Sequence, residues 1–148
     1  MTVIAQSTGQ QYRVRLREIE PETVTRMRSI VRNHLHLWGV GGESQPDVDN
    51  AQLVVSELLA NVVRHTDGVC ELCLSLADGT LTIEVRDQSS ELPVAHEPAE
   101  SDESGRGLLL VQALAQSWEV TPYEVGKSIM VSLALSGLPS SAPRGGAE

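Results

Sequence analysis

Positive charge is scarce in this chain of 148 residues: 11 lysines and arginines stand against 20 acidic residues, for a net charge of −9. Nucleic-acid binding draws on the neutralisation of phosphates by such cations, so the balance argues against direct contact with DNA or RNA. Long apolar runs are missing too. Stretches such as 58–63 and 108–111 fall far short of the roughly 20 residues of a membrane span, and the N-terminus lacks the basic start and apolar core of a secretion signal. The expectation is a soluble cytoplasmic protein. Cysteine is limited to Cys70 and Cys73. A C-x-x-C can be half a zinc site or a redox pair. Here the surrounding segment alternates like a strand, so positions three apart point to opposite faces, and no second Cys/His pair completes a metal site. His34 and His36, two apart in a helical pattern, do not face each other and form no chelating pair. Neither a Walker A loop nor a G-x-G-x-x-G fingerprint occurs, and no internal repeat is visible.

What is present suffices for one domain with a two-layer core, since 41% of the residues are apolar. Residues 1–10 are polar and aperiodic, and 137–148 are rich in Ser, Pro and Gly; both are expected to be flexible tails around a domain at 11–136. Within it, residues 12–17 alternate apolar and basic side chains as a strand solvated on one face does. Pro21 opens a helical pattern closed by Gly39, and a second helix runs from about Pro46 to His65. Two strands, 69–76 and 80–86, flank Asp78-Gly79, a strong hairpin signal. A polar segment to Ser104, a helix from Gly105 and strands near 117–123 and 128–135 complete the order. Antiparallel hairpins and helices sharing one apolar surface predict an α+β fold, a two-layer sandwich with a mixed, mostly antiparallel sheet covered on one face by helices.

Three places in that order have the residue types for chemistry. On the second helix Glu57 and Asn61 stand four apart and are neighbours on one face. A carboxylate and an amide oxygen so placed can serve a hard cation and a nearby water; a solvated helix face has the same composition. In 80–87, Leu81, Ile83 and Val85 share a face and Asp87 is next on it. A carboxylate at the edge of a buried face requires a donor, from the protein or from a ligand such as an adenine amine, unless the strand ends at Arg86 and Asp87 begins a turn. Third, Gly105-Arg106-Gly107 precedes an apolar run beginning at Leu108. Glycines at a helix start allow close approach of a phosphate to free N–H groups. The acidic stretch before it suits a lid over such a site, or a plain surface loop.

Glu57-Leu-Leu-Ala-Asn61-Val-Val-Arg-His65 resembles the N box of the histidine-kinase-like ATPases, the superfamily shared with gyrase B and the heat-shock chaperone ATPase. Val85-Arg86-Asp87 is similar to the start of its G1 box and Gly105-Arg106-Gly107-Leu108 to its G2 box. The match extends over nearly all of 12–135, and the short length is similar to that of the anti-sigma serine kinases common in actinobacteria. The resemblance implies that Asn61 ligates the magnesium of bound ATP, that Glu57 is the general base, and that Asp87 accepts a hydrogen bond from the adenine amine. It further implies that Gly105, Arg106, Gly107 and Leu108 line the phosphates, with Ser128 near the nucleotide; Arg64 and His65 recur in the regulatory subset. One departure stands out: the G1 box usually reads D-x-G-x-G, and here Asp87 is followed by Gln88-Ser89-Ser90. The implied function is an ATP-binding regulatory protein, a serine/threonine kinase and anti-sigma factor. Its partners would be an anti-anti-sigma protein of STAS type and a sigma factor, and its best-known relatives suggest a homodimer. The alternative is an anti-sigma or adaptor module that binds ATP without transferring phosphate.

Overall fold

The chain is described by a computed structural model over residues 3–66, 68–88 and 103–135. It opens with a hairpin of β1 (Val3–Thr8) and β2 (Gln11–Leu16), paired in register from Val3↔Leu16 to Thr8↔Gln11. This corrects the expectation of a tail over residues 1–10. An edge strand needs only backbone partners on one side, so it can form without apolar alternation in its own sequence.

Helix α1 (Pro21–Leu37) starts where Pro21 loses nothing by lacking an N–H, and the backbone N–H of Glu20 donates to the Thr23 hydroxyl at 3.1 Å. Its residues Thr23, Met27, Val31 and Leu35, one turn apart, form the buried stripe. A short 3-10 turn (Gly42–Ser44) leads to α2 (Gln45–His65), the 21-residue helix that occupies the middle of the molecule. Then follow β3 (Cys70–Ala77), β4 (Thr80–Asp87), α3 (Glu103–Leu114), β5 (Ser117–Tyr123) and β6 (Gly126–Ala134). The β3–β4 turn places both Asp78 and Gly79 at positive φ, 53° and 74°, the backbone that an Asp-Gly hairpin favours.

The six strands form one sheet in the order β1-β2-β3-β4-β6-β5. Every pairing is antiparallel. The sheet is therefore not mixed, because β5 stays at the edge; inserted beside β4 it would have run parallel to it. The two-layer α+β sandwich itself is as expected. On the inner face Leu72, Leu74, Ile83, Val85, Ile129 and Val131 meet Val54, Val55, Leu58, Leu59 and Val62 of α2 in one buried cluster. The residues between them, including Arg13, Glu71, Cys73, Thr82, Glu84 and Arg86, form a polar outer face. Cys70 and Cys73 accordingly lie on opposite faces, one buried and one half-buried. Among the described residues no helix is long and apolar enough to cross a membrane.

Candidate functional site

Two of the expected motifs meet where α2 faces α3. Glu57 is half-buried on α2. Its carboxylate lies against Gly107 of α3 so closely that a Cβ at that glycine would collide with Oε1 and approach Cδ to 2.7 Å. Two of the three motifs are thus in contact through a glycine that leaves room for a carboxylate. One turn along α2, Asn61 is only 4% exposed, and among the described residues its Nδ2 has no hydrogen-bond partner. A buried amide without a partner costs free energy that a ligand would recover. The unpartnered Nδ2 is a donor and suits a phosphate oxygen, whereas Oδ1 of the same amide, on the face beside Glu57, is the atom that a magnesium would take.

The G2 segment sits differently from the sequence expectation. Helix α3 begins at Glu103, two residues before the expected Gly105, so Gly107 is its fifth residue rather than its third. The first N–H groups of a helix have no partner within it, and here they include those of residues 103–105. Gly107 contributes close packing instead of a free N–H. The side chains of Arg106 and Leu108 lie outside the described residues, as does the stretch 91–104 read as a lid or a surface loop, except that residues 103 and 104 belong to α3.

The strand does reach Asp87, whose side chain turns inward and is 2% exposed. A protein donor meets it. Lys127 of β6 is the register partner of Asp87, is 1% exposed, and sets Nζ 3.0 Å from Oδ2 and 3.1 Å from Oδ1. The backbone around the pair is tightly held. The Tyr123 hydroxyl donates to the Asp87 carbonyl at 2.8 Å, and Gly126 packs so close that a Cβ there would come within 2.7 Å of Gln88 Cα. Burial, with the charges of Asp87 and Glu71 adding to it, pushes the neighbouring Cys70 thiol up to about 12. Burial also raises Tyr123, and Asp87 adds to that shift.

Ser128, expected near the nucleotide, is turned away by strand parity. It pairs with Arg86 on the outer face, and its hydroxyl donates to Glu84 Oε2. Lys127 is the residue that the sequence reasoning missed, although a signal existed. Lys127, Ile129, Val131 and Leu133 form an inward row by the same parity that placed Asp87. Arg64 and His65 close the last turn of α2, as basic residues at a helix C-terminus commonly do.

The sequence is matched over residues 18–133 by the family described as the histidine kinase-like ATPase domain. The chain belongs to that family. No curated protein matches it in sequence. Among solved structures, the SiaB-SiaC complex from Pseudomonas aeruginosa contains a chain of similar fold at a TM-score of 0.55 and 11% identity, covering 78% of this chain and 83% of that one. The histidine kinase domain of the blue-light activated histidine kinase of Erythrobacter litoralis EL346 aligns at a TM-score of 0.48 and 23% identity over 78% of this chain and 60% of that one. Membership of a histidine kinase-like ATPase family implies ATP as the ligand.

Proposed function

We propose that this histidine kinase-like ATPase domain is a regulatory serine/threonine kinase that phosphorylates an anti-anti-sigma protein of STAS type and holds a sigma factor when that partner is absent. The observation that carries the proposal is the Glu57–Gly107 contact one turn from the unpartnered amide of Asn61. A site that merely stored a nucleotide would not need a carboxylate between the two motifs. Asn61 would hold the magnesium through Oδ1, with its unpartnered Nδ2 left to donate to a phosphate oxygen, and the ion would neutralise phosphate charge when bound. Glu57 would accept the proton of the partner's hydroxyl as it attacks, the N-terminal N–H groups of α3 would receive phosphate oxygens, and Asp87 would take the adenine amine. Positioning and charge neutralisation supply most of phosphoryl transfer, so these few groups suffice. A chain of similar fold occurs in the SiaB-SiaC complex, which supports a protein partner for this chain as well.

The test is radiolabelled phosphate transfer from ATP to an anti-anti-sigma protein, run beside calorimetric ATP binding. Wild type is expected to transfer phosphate to serine or threonine. Glu57→Gln should bind ATP and transfer at least about a hundredfold more slowly, the lower range for loss of a general base; Asn61→Ala should lose the magnesium dependence of binding. ATP binding without transfer by wild type would move the chain to the non-catalytic alternative, and absence of binding would end both proposals.

A further inference from the structure

On the outer face of the sheet, the alternating arginines of β2 border a hollow. A cavity of about 330 Å³ opens there, with Arg15, Arg17, Glu71, Arg86, Gln88 and Tyr123 around it. Strand register explains the convergence. Arg15 and Arg86 both stand opposite Glu71, one from each neighbouring strand, and Arg17 follows Arg15 two positions on with the same parity. The walls are held by backbone. Tyr123 is tied by its hydroxyl to the Asp87 carbonyl at 2.8 Å. Glu18, next to Arg17, is held at φ 52°, and Gly68 packs so near that a Cβ there would lie 3.6 Å from the Ile19 nitrogen.

The acids at this end of the sheet already have cations beside them. Glu71 lies 3.9 Å from Arg13, Glu84 3.2 Å from Arg86 and Asp87 3.0 Å from Lys127. Among the described residues Arg15 and Arg17 have no ion-pair partner, so the wall keeps two surplus positive charges in a chain of net charge −9. Like charges held together repel, and an anion between them relieves the repulsion. A guanidinium is a planar fork of donors without an acceptor, which matches the oxygens of a carboxylate or a phosphate. Charge decides between the two. A single carboxylate leaves one surplus charge unmet, whereas a phosphate monoester carries about −1.5 to −2 at pH 7 on one group. We propose that this cavity binds a phosphomonoester dianion, borne by a phosphorylated side chain of a partner protein or by a small phosphorylated metabolite. The site lies on the face of the sheet opposite to α2 and is independent of the nucleotide-binding reading.

The experiment is an NMR titration of the full chain, its arginine guanidinium carbons isotope-labelled, with phenyl phosphate and with phenyl sulfate, which has the same shape and one negative charge fewer. The signals of Arg15 and Arg17, assigned from the single substitutions Arg15→Gln and Arg17→Gln, should move saturably with phenyl phosphate. Half-saturation is expected at about 1 mM or below, as a few charge-assisted hydrogen bonds give, and phenyl sulfate should bind at least about tenfold more weakly. Arg15→Gln combined with Arg17→Gln should abolish that preference. Both side chains are exposed and outside any ion pair among the described residues, so the double variant should keep the wild-type melting temperature. Shifts that never saturate, equal binding of the two probes, or a preference that survives the double substitution overturns the proposal. Tighter binding of a phosphoserine peptide than of glycerol phosphate assigns the dianion to a protein partner, and the reverse order to a metabolite; failure of both to bind overturns the proposal as well. ATP calorimetry tests the nucleotide site separately, so either reading can fail while the other stands.

Discussion

Two charge clusters stand side by side at the same end of the sheet, on the same strands, one residue out of phase. On the inner face Asp87 meets Lys127 with side chains 2% and 1% exposed; on the outer face Arg86 meets Glu84 at 3.2 Å with side chains 56% and 17% exposed, and Ser128 joins them. The chemistry is nearly the same and the surroundings are not. Water screens the outer group, and either partner can be solvated if the other is lost. The inner group has exchanged hydration for each other's company, so the loss of one member strands the other.

Breaking the inner pair should have the largest effect. Lys127→Ala is expected to cost about 3–5 kcal/mol in chemical denaturation, the range for orphaning a buried charge, and a value below about 1 kcal/mol would show that the two faces are alike. The neighbouring thiol provides the next contrast. Cys70 is held near 12 in the fold and returns to 9.0 when unfolded, so above about pH 9 the unfolded chain sheds a proton that the native one keeps. Stability present below that pH should fall as pH rises towards 12. The raised Cys73, Tyr12 and Tyr123 act in the same direction. Cys70→Ala should flatten the decline measurably, and an unchanged pH profile would rule out Cys70 as a contributor.

Gly107→Ala separates stability from activity on the inner side. Its methyl group would displace the end of a flexible carboxylate, and alanine favours a helix by about 0.8–1.0 kcal/mol over glycine, so thermal stability should change little. ATP-dependent transfer should drop more than ATP binding because Glu57 has moved; equal losses of both would argue that Glu57 does not act in the transfer step. The smallest effect belongs to the outer cluster, where Arg86→Ala should alter stability by less than about 1 kcal/mol.

Much of the fold could be read from side-chain period. Alternation in 80–87 placed Asp87 on the buried face, and the strand does extend to it. Helical spacing and Pro21 located α1, whose Met27, Val31 and Leu35 are buried. The misses have physical causes. β1 is joined by backbone hydrogen bonds to a single neighbour, and nothing in Val3–Thr8 alternates to announce it. Gly105 marks a boundary in the sequence, yet α3 starts at Glu103 because Glu and Ser are tolerated in a first turn. Lys127 escaped because a lysine after a glycine resembles a turn. Parity would have put it inside, and only the pairing of β4 with β6 shows which carboxylate it meets. That pairing joins segments far apart in sequence, and periodicity is silent about such distances.

The same pairing has a consequence for the order of folding. β3 and β4 meet across a two-residue turn, whereas β4 and β6 must close a loop in which Asp87 and Lys127 are 40 positions apart. Entropy opposes the longer closure, and contacts of high sequence separation slow folding. The carboxylate of Asp87 therefore acquires its ammonium only when the C-terminal hairpin docks. In a chain still being synthesised, the Cys70–Asp87 hairpin can exist before the residue that completes its charge balance has left the ribosome.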